Sequence, residues 1–430
     1  MSAIYWVRND LRTCDNLTLN QFCKNESSGA FIWSPTKSVK SAGLNRQEFL
    51  FGNLNKFSEQ LAAQQQVLLR TENSFLETLK GLLAGPAKSK IKKIYFSEEY
   101  AFDEVVEGQE VIRICTENKV EIISFDQNTL VNEQNLPFEL SQMPFIFTKF
   151  RQLIEKNLQV EASVSAPEDW PRPVDFEELK LTPHEAMTPS FSAKDLQDDR
   201  FSFYQFIKPG EAAGQRHLQD YLYKSQSILT YKETRNGMLN WQDSSKLSLW
   251  LNCGALSART VFNEIKKYEV QHQANESTYG LVFELLWRDY FKYFSKKYDK
   301  SIFLLKGVQS ESVKVPQKNR SLFQSWCEGR TNSDFVNANM RELNLTGWMS
   351  NRGRQNVASF LIHDLALPWT WGAAYFETQL LDYDPDLNWG NWLYLSGQGS
   401  DHRSRIFNTQ RQAEMYDPDG LYQKKWLTER

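Results

Sequence analysis

The chain has 430 residues, a net charge of -3, 41% apolar and 24% charged residues, enough for two or three domains with sizeable cores. No stretch approaches the ~20 apolar residues a bilayer demands, and the start MSAIYWVRNDLR has neither a signal peptide's apolar run nor a transit peptide's acid-free character. These properties exclude secreted and membrane-spanning classes and lead us to expect a cytoplasmic, monomeric protein.

Five scattered cysteines (Cys14, Cys23, Cys115, Cys253, Cys327) form no C-x-x-C pair, and with five scattered histidines no metal site is expected. Charge is uneven: residues 1–200 hold 22 Lys+Arg against 29 Asp+Glu, residues 201–430 hold 28 against 24, and ten of the 13 tryptophans lie in that second, basic half. A basic, aromatic half is what a single-strand or flipped-base site would use, although two domains of slightly different composition explain it equally well.

Along the chain, AIYWVRNDLR reads as a buried strand ending in a polar loop and GAFIW as a second. The helical pattern RQEFLFGNLNKFSEQLAAQ follows, then strands VLLR, KIYFS and VEIISF. Strands alternating with helices indicate an α/β domain with a parallel sheet over residues 1–130. No G-x-G-x-x-G follows any of them, so the ordinary dinucleotide fingerprint is absent. The connector is taken as residues 131–203, and over 160–200 Pro167, Pro171, Pro173, Pro183 and Pro189 with many acids suggest a long irregular stretch. From about Ser202 the apolar period is helical, giving a helical domain over 204–430.

Four stretches of that half carry chemistry. In DSSKLSLWLNCGALSARTVFNEI, Ser244, Ser245 and Ser248 surround Lys246 at a helix start, a phosphate cradle or simple serine capping. In FELLWRDYF, Glu284 and Trp287 share a helix face with Arg288 beside them, suited to reading a base edge and stacking on it, or to a surface ion pair. In TGWMSNRGRQNVASFL, Trp348, Asn351, Arg354 and Gln355 recur at three- and four-residue spacing on one helix face, with Val357, Phe360 and Leu361 continuing a core face. LLDYDPDLNWGNWLYLSGQG sets Asp382 and Asp384 before Asn388, Trp389, Trp392 and Tyr394. It lacks the ligand order of an EF-hand, and Asp382 is a natural partner for Arg354.

Together, YKETRNGML, FELLWRDYF, TGWMSNRGRQNVASF, LLDYDP and YDPDG resemble the photolyase/cryptochrome flavoproteins, and within them the DASH cryptochromes, over nearly the whole chain. The resemblance implies an α/β N-terminal antenna-type domain, a long connector and an all-α C-terminal domain binding FAD. It implies that Tyr231, Ser244, Ser245, Lys246, Leu247 and Ser248 contact the diphosphate and ribityl region. Trp348, Asn351, Arg354, Asp382, Asp384 and Asn388 would surround the isoalloxazine and adenine, and Arg288 would also bind the cofactor. The implied activity is blue-light repair of cyclobutane pyrimidine dimers in DNA, preferably single-stranded, with Glu284 on the damaged base, Trp287 and Tyr394 stacking, and Asn351 between lesion and flavin. A member acting on the (6-4) lesion would carry histidines where Asn351 and Gln355 stand. The alternative is a blue-light photoreceptor that signals without repair, against which the short C-terminus after the last helix argues. In FSEEYAFDEVVE, Glu104 stands where relatives hold a pterin, implying a 5,10-methenyltetrahydrofolate antenna; an acidic, solvated helix start is the other reading. Electron-relay tryptophans are matched at Trp392 and Trp369, whereas Pro316 occupies the outermost place, leaving Trp371 and Trp326 as substitutes. GRTNSDFVNANMREL departs from relatives over Asn332 to Asn337, where they carry a glycine–tyrosine–proline turn and an aspartate.

Overall fold

In the computed structural model, which describes residues 2–174, 206–309, 316–401 and 405–428, the strands β1 (Ser2–Val7), β2 (Ser28–Trp33), β3 (Leu68–Arg70), β4 (Ile91–Ser97) and β5 (Glu121–Phe125) form one parallel sheet in the order β3-β2-β1-β4-β5. The central strands β1 and β2 are apolar and buried on both faces, as a parallel sheet covered on both sides requires. Ile4 and Trp6 pack into one core with Phe75, Leu79, Phe96 and Val111. Tyr5 and Val7 point the other way into a core that runs on into the helical half. Crossover helices Leu17–Asn25, Leu44–Ala63, Phe75–Ala84 and Phe102–Glu117 join them.

The connector has regular structure before and within its proline-rich part. It carries a helix, Phe147–Glu155, and a two-residue strand β6, Arg172–Pro173, which pairs with β2 at Ser28 and Gly29, before β3 begins alongside it. Pro173 can sit there because this end of the sheet is an edge. Pro183, Pro189 and Ser202 lie outside the described residues.

From Glu211 onward the described elements are helical, so the fold is an α/β domain with a parallel sheet followed by an all-helical domain. The two are joined by buried polar bonds as well as by the shared core. Asp15 meets Arg259 at 3.0 Å with both side chains at most 2% exposed. Arg12 donates to the Gly254 carbonyl at 3.0 Å, and Asp289 accepts from the Leu130 and Val131 amides. Gly254, at φ +69, lets the chains meet: a Cβ there would sit 1.9 Å from the Asn9 carbonyl oxygen. Among the described residues no helix is long and apolar enough to cross a membrane.

The helices that matter most begin with side-chain caps. Asn275 caps the 23-residue helix Glu276–Tyr298, accepting from the Ser277 and Thr278 amides. Ser350 caps Asn351–Ser359 and Asp384 caps Pro385–Leu395. The stretch from Thr346 to Leu361 is therefore not one helix. Thr346 ends Asp334–Thr346, Gly347 terminates it at φ 68, and Trp348 and Met349 form the link to the next.

Candidate functional site

Helices Glu276–Tyr298, Asn351–Ser359, Trp369–Gln379 and Pro385–Leu395, with the loop before Ser248, enclose a cavity of about 280 Å³. Tyr231, Ser244, Ser245, Lys246, Leu247, Ser248, Glu284, Arg288, Trp348, Asn351, Arg354, Asp382, Asp384, Asn388 and Trp392 all line it. The helix expected at the serine cluster is only one turn, Ser248–Leu251. The cradle is instead an irregular loop in which Lys246 adopts φ 51, a left-handed conformation an ordinary side chain rarely takes. Lys246 Nζ donates to the Trp241 carbonyl at 2.5 Å, and burial lowers its ammonium to about 8.

Asp382 is the electrostatic hinge of the wall. Arg354 Nη2 reaches its two oxygens at 2.9 and 3.0 Å, and Ser248 Oγ donates to Oδ2 at 2.8 Å. Arg354 Nε donates to the Met349 carbonyl, and its guanidinium lies 5.0 Å from the Trp348 ring. Asn388 Nδ2 donates to the Ala373 carbonyl at 3.0 Å. Because a carbonyl can only accept, that bond fixes the amide's orientation and leaves Oδ1 as a free-facing acceptor.

Asp384 also lines the cavity, yet its carboxylate is committed. It caps its helix and meets Lys292 Nζ at 3.0 Å, while the same ammonium reaches Asp386 at 3.2 Å. Burial opposes ionisation of both. Lys292 and Arg288 overcome it for Asp384, which stays below the ordinary carboxyl range, whereas Asp386 is raised to about 7 by burial with Asp384 adding to it.

At the cavity's mouth Glu284 is paired with Arg235; burial raises its carboxyl and Arg235 pulls the other way. Arg288, one turn further, shares the lining with Glu284, but Trp287 is turned round the helix and is not part of it. Its indole stacks on Phe147 and meets Tyr394 edge-on at 5.7 Å, and Tyr394's hydroxyl accepts from Arg405. The carboxylate thus lines the cavity while the indole does not, and the two do not share one surface.

Trp392 is buried against the cavity, edge-on to Phe376 at 5.1 Å and to Trp326 at 6.2 Å. Gly372 makes room for it, since a Cβ there would fall 2.2 Å from its ring. Trp369 lies outside the lining, donates to the Leu305 carbonyl and faces Trp389 at 5.9 Å. Trp326 continues to Tyr375 at 5.8 Å and to Phe323, which meets Trp371. In the altered segment Asn337 closes the turn itself: Oδ1 accepts from the Thr331 amide and hydroxyl at 2.7 and 2.8 Å, and Nδ2 donates to the Thr331 carbonyl.

A second, smaller cavity of about 80 Å³ lies outside the carboxyl ends of β1 and β2, beside the point where strand order reverses between β1 and β4. Parallel sheets bind ligands at such a switch point. Glu104 is in its wall with Arg8, Asn9 and Arg46, and Asn252 and Tyr383 line both cavities. Burial raises the Glu104 carboxyl to about 8, with Asp386 and Glu99 adding like charge, so it is not a solvated helix start.

Sequence reasoning missed Arg235, Lys292, Asp386 and Glu342. For Lys292 a signal was available: Glu284, Arg288 and Lys292 form a charged stripe at four-residue spacing along a largely apolar stretch of one helix. Glu342 is buried behind Lys246 and Arg354, accepts from Tyr422 Oη at 2.5 Å and is raised by burial to about 7; nothing local in sequence marks it.

Residues 281–430 match the family described as the FAD binding domain of DNA photolyase, and residues 3–173 the family described as DNA photolyase. The chain is 36% identical to the cryptochrome DASH of Synechocystis sp., covering 100% of this chain and 88% of that one. It is 37% identical to the cryptochrome DASH of Danio rerio, covering 100% and 83%. The crystal structure of the Synechocystis sp. cryptochrome superposes with a TM-score of 0.89 at 34% identity over 99% of this chain and 88% of that one. A class III photolyase from Agrobacterium tumefaciens, 24% identical, shares the fold with a TM-score of 0.81 over 99% and 86%.

Proposed function

The chain belongs to the DNA photolyase and cryptochrome family, and from that premise we propose that it binds FAD and repairs cyclobutane pyrimidine dimers under blue light, with single-stranded DNA preferred. The observation that carries this reading is a cavity walled by the Arg354–Asp382–Ser248 cluster and lined by a half-buried carboxyl, Glu284, paired with Arg235 on the helix that also carries Trp287 beside Tyr394. A photoreceptor has no need of a base-reading mouth.

The residues present fit FAD. Arg288 is 8% exposed with Nε unpartnered, and Gln355 Oε1 is likewise unpartnered in the lining, so the wall holds a buried donor and acceptor awaiting a ligand. Ser244, Ser245 and Lys246 would hold the diphosphate, whose charge would keep the Lys246 ammonium protonated. Tyr231, Leu247, Ser248, Trp348, Asp384 and Asn388 would enclose the remainder, with Asn388 Oδ1 available to an N–H of the ring system. When bound, the flavin supplies light-driven electron transfer.

The chain's part in repair is to bind, orient and exclude water. Arg354, fixed by Asp382, presents a permanent cation to the wall where negative charge must be tolerated. Leu281, Leu285 and Leu387 keep the lining apolar. Glu284, whose carboxyl burial raises and Arg235 lowers, can accept from a base N–H. Asn351, exposed at the first position of its helix, would bridge lesion and cavity, while Trp287 and Tyr394 would take the base faces. Trp392 would deliver electrons to the cavity from the protein side, with Trp326 its ring neighbour in the absence of an aromatic at Pro316; Trp369 would take part through Trp389. The Glu104 cavity would hold 5,10-methenyltetrahydrofolate as antenna.

The test is to illuminate the chemically reduced holoprotein with a single-stranded oligonucleotide carrying one thymine dimer and quantify restored thymines. Restoration is expected, faster than in duplex. A protein that bleaches and recovers under blue light yet restores none is a photoreceptor instead.

A further inference from the structure

The indole of Trp287 is held by a residue from outside the helical domain. Phe147, the first residue of the connector helix Phe147–Glu155, lies face to face with it, ring centroids 3.6 Å apart and planes 14° off parallel. Near-parallel overlap is not the arrangement aromatic pairs choose when left to themselves, since edge-on or offset contacts suit their quadrupoles better. Here the stack is imposed from two sides. Phe283, one turn before Trp287, meets Phe147 edge-on at 5.2 Å and 89°, and Tyr290 meets it at 5.6 Å and 76°. Phe147 is 5% exposed and sits in a slot of three rings carried by one helix.

The connector helix is itself pinned to that helix. Tyr290 Oη donates to the Phe145 carbonyl at 2.6 Å, Phe150 packs edge-on to Tyr290 at 5.4 Å, and Tyr279 Oη donates to Glu155 at 2.6 Å. With Phe147 on its ring, Phe291 near-parallel to it at 5.4 Å and 27°, and Tyr394 edge-on at 5.7 Å and 68°, the indole has one orientation, and it is only half-buried, so part of it stays open for a base to meet.

We propose that Phe147 is a positioning residue for base recognition: it acts through Trp287, setting the indole plane on which a flipped pyrimidine dimer stacks. This rests on the proposed repair function. The connector then has a role in substrate binding as well as in joining the domains.

The experiment measures binding in the dark, by fluorescence anisotropy, of dimer-containing and undamaged single-stranded oligonucleotides to FAD-loaded parent, F147L, F147Y, W287L and F147L/W287L. Base–aromatic stacking is worth about 1–3 kcal/mol, so F147L should weaken dimer binding about tenfold with FAD content unchanged. F147Y keeps the ring and should stay within about twofold, and F147L should add less than about twofold in the W287L background, where the platform is already gone. Equal loss in both backgrounds, or an F147L protein that discriminates the dimer as the parent does, overturns the inference. So does loss of FAD from F147L and also from F147M, since that would make Phe147 an ordinary core residue. A parent that does not distinguish dimer from undamaged DNA fails the repair reading instead.

Discussion

Asp382→Asn should weaken FAD binding about thirtyfold. The carboxylate is 8% exposed and takes two contacts from Arg354 Nη2 and one from Ser248 Oγ, all at 2.8–3.0 Å. An amide of the same shape keeps one acceptor and presents N–H groups where the guanidinium and hydroxyl lie. Removing one partner of a fully buried ion pair costs about 3–5 kcal/mol. Arg354's side chain is 24% exposed, so solvent relieves part of that, and about 2 kcal/mol is the expected cost, some thirtyfold in affinity. Ser248→Ala removes a single hydrogen bond to a charged group and should cost about 1.5 kcal/mol, or roughly tenfold. The assay is titration of apoprotein with FAD, followed by quenching of flavin fluorescence at constant ionic strength. An Asp382→Asn affinity within about threefold of the parent would refute the argument that this carboxylate holds the cation in place for the ligand.

Trp392→Phe should slow light-driven flavin reduction, measured as bleaching of the blue absorption band, while leaving repair by chemically reduced protein intact; bleaching at the parent rate removes Trp392 from the relay. Trp326→Phe should slow it too if its contact with Trp392 is the route outward, and a silent Trp326→Phe together with a slow Trp369→Phe would assign the route to Trp369 and Trp389. Reconstitution with excess 5,10-methenyltetrahydrofolate should add near-ultraviolet absorbance that Glu104→Gln loses. Because the free carboxyl is raised to about 8 and a pterin's N–H donors need it ionised, affinity should rise up to about tenfold per pH unit from pH 6 to 8, and a pH-independent affinity contradicts that role. Glu342, raised by burial from 4.5 to about 7, holds its proton more tightly folded than unfolded. Its contribution is therefore greatest below about pH 4.5 and falls as pH rises to about 7, by about 3 kcal/mol in total. Glu342→Gln should flatten the fall in melting temperature between pH 5 and 8, and an unchanged slope would show that the carboxyl titrates normally.

What the sequence determined by itself was whatever rests on near neighbours along the chain. Apolar runs such as AIYWV and KIYFS can only be strands buried on both faces, and their alternation with helices implies a parallel sheet. The order of motifs in the helical half pointed to one cavity, and the Arg354–Asp382 pair was legible because a buried cation needs a carboxylate and the motif offered one. Even the error at Trp348 was avoidable, since Gly347 and Ser350 are a C-terminal stop and an N-cap. Tertiary structure decided what depends on groups meeting across long separations in a medium that penalises unpaired charge. Lys292 meets Asp384 and Asp386 more than ninety residues away, and only their burial makes one of the two carboxyls hold a proton near neutral pH. Phe147 lies 140 residues from Trp287, in the connector. Its stack exists because a slot of rings on one helix accepts a side chain from another, and no local pattern encodes that fit.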